Sequence, residues 1–202
     1  NNLINDMNLS VRTTNQDSNF TKKNNDLNEI NNLNDINNTE NKELNDNTFS
    51  EIELDNVINV SQFDRDNLRS LFKNASILKQ NIKKNGKIDL LKGKTIGLYF
   101  DEPSSRTYGS FYVAVKKLGG DVLSLNATNS SSKKGESLYD TLKCIESYCD
   151  LIVIRTKVKD SLYKLQKSIK IPIINAGDGD GEHPTQALLD VFTIREERGT
   201  VN

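Results

Sequence analysis

Only two cysteines, three prolines and one histidine occur among the 202 residues. Two cysteines are too few for a disulfide framework. Cys144 and Cys149 fall in a helical pattern that ends in a hydrophobic strand, which suits reduced, partly buried thiols. Three prolines and 11 glycines exclude a collagen-like or proline-rich fibre. No window approaches the ~18 continuous apolar residues of a membrane span. The chain starts on Asn, and no basic-then-apolar secretion signal follows. Excess charge is lacking too: 27 Lys+Arg stand against 28 Asp+Glu. Bulk electrostatics therefore gives no pull onto nucleic acid or an anionic membrane. Neither GxGxxG nor GxxxxGK occurs, so neither a dinucleotide nor a P-loop nucleotide is favoured. The lone His183 has no zinc partners at suitable spacing. Asp178, Asp180 and Glu182 lack the pattern of a calcium loop, and no nucleophile elbow is readable.

What is present divides at a seam. Residues 1–50 hold 17 Asn, 12 apolar residues, and 4 basic against 8 acidic side chains. Asn side chains compete with the backbone for its hydrogen bonds, and so little apolar surface cannot offset the entropy of ordering. This head is expected to be a disordered linker or tail. Residues 51–202 carry 23 basic against 20 acidic side chains and nearly all the branched apolar runs. They are expected to form the ordered domain.

From Glu51 onward the pattern is legible. Residues 58–60 suit a short strand or a docked extended segment. Asp64 opens a helix, with Phe63 and Leu68 at staple positions and Leu68, Leu71, Phe72, Ala75 and Leu78 on one face. Asn85-Gly86 closes it. Strands are expected at 95–100, 121–126, 150–156 and 171–177. The helices between them start after DEPSSRT, at about Glu136 and at an Asp160 cap, the last of these running to about Ile169. A final helix starts at Pro184, carries Leu188, Leu189, Phe192 and Ile194, and stops at Gly199. Strands alternating with helices imply an α/β fold, a three-layer sandwich around a four-stranded parallel sheet. Such sheets hold ligands in the loops beyond the strands' C-terminal ends. Here those loops are 101–107, 126–135, 155–159 and 177–186.

These loops contain the chemistry. Ser104, Ser105, Arg106 and Thr107 stand at a strand-to-helix junction, where unpaired N–H groups and the helix dipole attract an anion. Two hydroxyls and a guanidinium add the donors a phosphate needs; a plain serine cap with a surface arginine is the alternative. Lys133 and Lys134 lie in a long Ser-rich loop, either solvated or reaching an anion. Arg155 ends the most hydrophobic strand, where a charged side chain faces the ligand crevice or solvent. His183 precedes a proline-started helix with Gln186 close behind, a pair able to address an amide or carbonyl. Together the loops suit the positioning of a phosphorylated acyl compound without covalent catalysis.

At these residues the chain resembles the transcarbamoylases, specifically the aspartate carbamoyltransferases. SSRT at 104–107 resembles their S-T-R-T motif, SSKKGES at 131–137 their mobile loop, and NAGDGDGEHPTQALLDVFTI at 175–194 their most specific segment. The likeness covers roughly 58–202 and is greatest to the segment of the eukaryotic multifunctional pyrimidine-synthesis protein. It implies that Ser104, Ser105, Arg106 and Thr107 hold the phosphate of carbamoyl phosphate. Arg155 would bridge phosphate and carbonyl, His183 and Thr107 would donate to the carbamoyl oxygen, and Gln186 would hold the carbamoyl nitrogen. Ser130 and Lys134 would come from an adjacent subunit of a homotrimer. The implied reaction transfers the carbamoyl group to L-aspartate in pyrimidine synthesis, with no metal or organic cofactor, in the cytoplasm.

The resemblance also carries expectations about what this chain does not contain. The family's second domain, which binds aspartate, would lie outside it. The Asn-rich head would be a linker from upstream pathway domains, and the isolated fragment would turn over little. Two departures stand out. Ser105 replaces the usual Thr, and Arg155 is followed by Thr156-Lys157 where the family has His-Pro, which would free that loop. An ornithine-specific relative is the alternative enzyme, although it typically has Cys at the position of Thr185. A catalytically inactive scaffold of the same fold is the non-enzymatic alternative.

Overall fold

The computed structural model describes residues 48–126 and 136–199, which belong to a compact unit spanning Asn47–Asn202. Its secondary structure begins with a single 3-10 turn, Val60–Gln62, and helix α1, Arg65–Asn85. The sheet strands are β1 (Thr95–Phe100), β2 (Asp121–Asn126), β3 (Leu151–Thr156) and β4 (Ile173–Asp178). Between and after them run α2 (Ser105–Lys117), α3 (Leu138–Ile145), α4 (Ser161–Leu165) and α5 (Pro184–Arg198).

All pairings are parallel and the strand order is β2-β1-β3-β4. The chain moves one way from β1 to β2 and the other way from β3 to β4. The reversal point therefore lies between the C-terminal ends of β1 and β3, where a crevice opens in such sheets. The residues at 57–58 dock as an extended segment on the free edge of β4. Val57 donates to the Ile173 carbonyl at 2.8 Å and accepts from the Asn175 N–H at 2.7 Å.

Alternation along the strands feeds a core on each face. On one face Tyr99, Ile152, Ile154 and Ile173 pack with Leu142 and Ile145 of α3 and Leu162 of α4. On the other, Ile96, Leu98, Phe100, Val153 and Ala176 pack with Val115 and Phe111 of α2. Both faces are covered, which is why β3 reads as a continuous apolar run. Helix α1 joins α5 through the Phe72 and Phe192 rings, 5.5 Å apart, and a Lys79–Glu196 ion pair.

Asp64 caps α1 as its sequence suggests, accepting the Asn67 N–H at 2.7 Å. Gly86 and Gly199 terminate α1 and α5 with positive φ. Other expectations need correction. Asp160 precedes α4, yet its side chain makes no cap hydrogen bond and its φ is +57°. Helix α4 stops at Leu165 rather than near Ile169, and α3 is confined to Leu138–Ile145. On α1, Phe72 of the expected face is buried and Leu68, Leu71, Ala75 and Leu78 are half-buried, while Ile77, outside that face, is buried as well. Cys149 is buried but Cys144 is exposed. Among the described residues no helix is long and apolar enough to cross a membrane.

Candidate active site

The site grows from an irregularity in the sheet. Ile154 pairs with Asn175 and Thr156 with Asp178, so β4 carries an extra residue opposite Arg155. This bulge turns a carbonyl out of the ladder. The Arg155 guanidinium takes it up, Nη1 donating to the Ala176 oxygen at 3.1 Å. Gly177 follows at φ +120°. A Cβ there would stand 2.8 Å from Arg155 Nη1 and 3.6 Å from His183 Cδ2. The bare Gly177 backbone thus lies against both side chains, and the arginine and histidine meet around it.

Glu102 completes the arginine's surroundings. Its Oε2 accepts a hydrogen bond from Arg155 Nε at 3.2 Å and lies 3.2 Å from Nη2 in the same ion pair. The Arg155 side chain is only 19% exposed, so two carboxylate contacts and a carbonyl largely fix its direction. Sequence alone does not single out Glu102. It stands two residues before Ser104, but its partner lies 53 positions away. Only the register that sets Phe100 beside Arg155 reveals the pair.

The same register brings the first loop to the crevice, since Asp101 N–H donates to the Arg155 carbonyl at 2.9 Å. Ser104 is the N-cap residue of α2, extended in backbone and with no side-chain cap bond. Among the described residues its hydroxyl has no cap partner, and the first N–H groups of a helix have no intrahelical acceptor, so both can address a ligand. Ser105 and Arg106 are exposed, Thr107 half-buried. The Arg106 carbonyl accepts the Ser110 hydroxyl at 2.9 Å, while its guanidinium pairs with no described residue.

His183 is the N-cap residue of α5, with Pro184 in the first turn. Burial, together with the neighbouring Arg155 charge, pushes its imidazole below the usual histidine range, opposed by Asp190. Thr185 Oγ1 lies 3.3 Å from Nδ1. Gln186 does not turn to His183 here; its amide donates to Asp190 at 2.9 Å. Ser130, Lys133 and Lys134 lie outside the described residues. Among the described residues no cluster of three or more His, Cys, Asp or Glu is arranged to hold a metal ion.

The Thr156-Lys157 departure has a structural answer. Thr156 is 1% exposed; its hydroxyl accepts the Val158 N–H at 3.2 Å and its carbonyl the Gly179 N–H at 2.8 Å. Hydrogen bonds hold the turn that a proline would otherwise stiffen.

Residues 55–196 match the family described as "Aspartate/ornithine carbamoyltransferase, carbamoyl-P binding domain". The multifunctional protein pyr1-3 of Dictyostelium discoideum is 51% identical over 146 residues, covering 72% of this chain and 7% of that protein. The aspartate carbamoyltransferase catalytic subunit of Archaeoglobus fulgidus is 41% identical over 147 residues, covering 72% of this chain and 49% of that one. The crystal structure of Trypanosoma cruzi aspartate transcarbamoylase with N-(phosphonacetyl)-L-aspartic acid superposes with a TM-score of 0.70 at 39% identity, covering 73% of this chain and 46% of that one. The chain thus spans a small fraction of its multifunctional relatives and about half of the single-function ones. By residues, fold and register, it belongs to the aspartate/ornithine carbamoyltransferase family, in which it matches the carbamoyl-P binding domain.

Proposed function

We propose that this chain supplies the carbamoyl-phosphate half of an aspartate carbamoyltransferase site. The observation that carries the reading is the meeting of Arg155 and His183 around Gly177, beside the loop that opens α2. A phosphate seated on the amides of residues 105–107 would gain the helix dipole, the Ser104 and Thr107 hydroxyls and the Arg106 guanidinium. Arg155 would exchange its Glu102 contact for the ligand and reach both phosphate and carbonyl.

His183 acts as a neutral donor. Its depressed basicity favours imidazole over imidazolium near pH 7, and the tautomer in which the Thr185 hydroxyl donates to Nδ1 would carry the proton on Nε2. The attacking amine of aspartate would add to the carbonyl carbon, and the tetrahedral intermediate would expel phosphate, which takes up the proton that the amine loses. Arg155, His183 and Thr107 would stabilise the oxyanion as charge develops. No covalent bond to the protein forms. Gln186 would leave Asp190 to hold the carbamoyl nitrogen.

Aspartate rather than ornithine is favoured by Thr185 in HPTQ and by relatives that are aspartate carbamoyltransferases. Structures of the Trypanosoma cruzi relative in complex with carbamoyl phosphate and aspartate support the same ligand pair. The aspartate contacts would come from a second domain, Ser130 and Lys134 from a neighbouring subunit of a homotrimer, and the Asn-rich head would link to an upstream domain. Isothermal titration tests the half-site. Carbamoyl phosphate should bind in competition with inorganic phosphate, and Arg106→Ala should abolish that binding. Unchanged binding in the variant would refute the cradle.

A further inference from the structure

Asp178 is buried, with 5% of its surface exposed, and no role in binding or catalysis has yet been given to it. Its Oδ2 accepts the Asp160 N–H at 2.9 Å and its Oδ1 the Glu182 N–H at 2.6 Å. Its own N–H donates to the Glu182 carbonyl at 3.2 Å, and its carbonyl accepts the Gly181 N–H at 3.0 Å. One residue therefore folds the 178–182 turn onto itself and ties it to the start of α4. Its Cα partner across the sheet is Thr156, the residue after Arg155; Glu182 is the residue before His183. Glu182 is held again from outside, its Oε2 accepting the Val60 N–H at 2.7 Å.

We infer that Asp178 is a positioning residue: its carboxylate joins the loop after β3 to the loop after β4, and so sets where His183 stands relative to Arg155. A carboxylate suits this task better than an amide, because every partner is an N–H donor. A charged acceptor makes stronger hydrogen bonds to such donors, whereas an amide would turn its own N–H₂ toward one of them. Space is closed as well as bonded. A Cβ on Gly181 would stand 2.5 Å from Asp178 Oδ1, so that glycine is required for the carboxylate to lie where it does. The left-handed Asp160, at φ +57°, aims its N–H at the same carboxylate.

The consequence is selective. The phosphate cradle at 104–107 hangs from β1 and has no bond to Asp178. The carbonyl side, through His183, depends on it. Asp178 should therefore govern discrimination of an acyl phosphate from inorganic phosphate, while leaving phosphate affinity itself alone. This deepens the half-site reading and rests on it for the identity of the ligand.

The test uses the whole 202-residue chain, with inorganic phosphate and carbamoyl phosphate titrated separately and the C2–H resonance of His183, its only histidine, followed by NMR. In Asp178→Asn, phosphate affinity should stay within about twofold, while the preference for carbamoyl phosphate over phosphate falls by about tenfold and the His183 resonance shifts. Gly181→Ala, which keeps the carboxylate but displaces it, should reproduce both changes. A parallel loss of both ligands, or an unmoved His183 resonance with an unchanged preference, overturns the inference. Wild-type protein supplies a readout free of mutation: the Asp160 and Glu182 amides should exchange with solvent slowly, and exchange at unprotected-loop rates also overturns it. If the wild type binds neither ligand, the half-site reading fails, and the amide exchange and His183 resonance still decide the positioning role.

Discussion

The Gly177 backbone lies against the Arg155 guanidinium so closely that a Cβ at position 177 would come within 2.8 Å of Nη1. The φ of +120° at this glycine is also one that L side chains rarely adopt. Gly177→Ala therefore meets two obstacles at once. It should cost about 1–3 kcal/mol in stability through backbone strain, and it should weaken carbamoyl phosphate binding by at least about tenfold by displacing the arginine. Thermal unfolding and titration calorimetry read the two effects separately. Wild-type affinity in a folded variant would mean that Arg155 is not held by this contact.

Glu102 occupies the face of Arg155 that an anion would seek. Because Nη1 is separately anchored on the Ala176 carbonyl, loss of the carboxylate should free the guanidinium without losing its place. Partly exposed ion pairs are worth at most about 1 kcal/mol, so Glu102→Gln should tighten inorganic phosphate binding by about threefold to fivefold. Weaker binding would show that Glu102 holds Arg155 in its binding pose instead of competing for it.

His183 titrates below the usual histidine value, with burial the leading cause and Arg155 the second. The unfolded chain then binds a proton at a pH where the folded chain does not. Stability from this group is complete above the unfolded value of about 6.5 and is lost as pH falls through the folded value. An NMR titration should give a midpoint below 6.5, and His183→Gln should remove this part of the acid sensitivity. A midpoint at or above 6.5 would contradict the neutral-donor role.

Asn175 is buried, donating to the Ile58 carbonyl at 2.9 Å and accepting the Gly177 N–H at 2.8 Å. It pins the extended segment at 57–58 to β4 and supports the turn at Gly177. Asn175→Ala strands both backbone groups and should lower stability by about 2–4 kcal/mol, measured by denaturant unfolding. A loss below about 0.5 kcal/mol, as for a surface change, would show that these bonds are not needed.

Strand positions were legible because apolar runs ended in glycine and polar loops, and the doubly covered β3 could be recognised by its unbroken LIVI. Helix ends followed from Asp64, Pro184, Gly86 and Gly199, whose local chemistry acts within a few residues. The candidate site was legible as motifs, not as contacts. Arg155 and His183 were identifiable from their places at strand and helix ends. Glu102 and Asp178 were not, because each acts on residues brought near only by strand register. Asp160 shows the same limit: it looked like an ordinary cap, but the buried Asp178 carboxylate holds its backbone in the left-handed region.

Convergence of the strand-end loops on one phosphorylated carbonyl compound is tested most directly by a crystal structure of the chain with carbamoyl phosphate bound. The phosphate should sit on the amides of residues 105–107 with the Arg106 guanidinium folded over it. Arg155 should have left Glu102 for the ligand, and the His183 imidazole should lie at hydrogen-bond distance from the carbonyl oxygen. A ligand bound elsewhere, or Arg106, Arg155 and His183 facing separate surfaces around an empty crevice, would contradict the account.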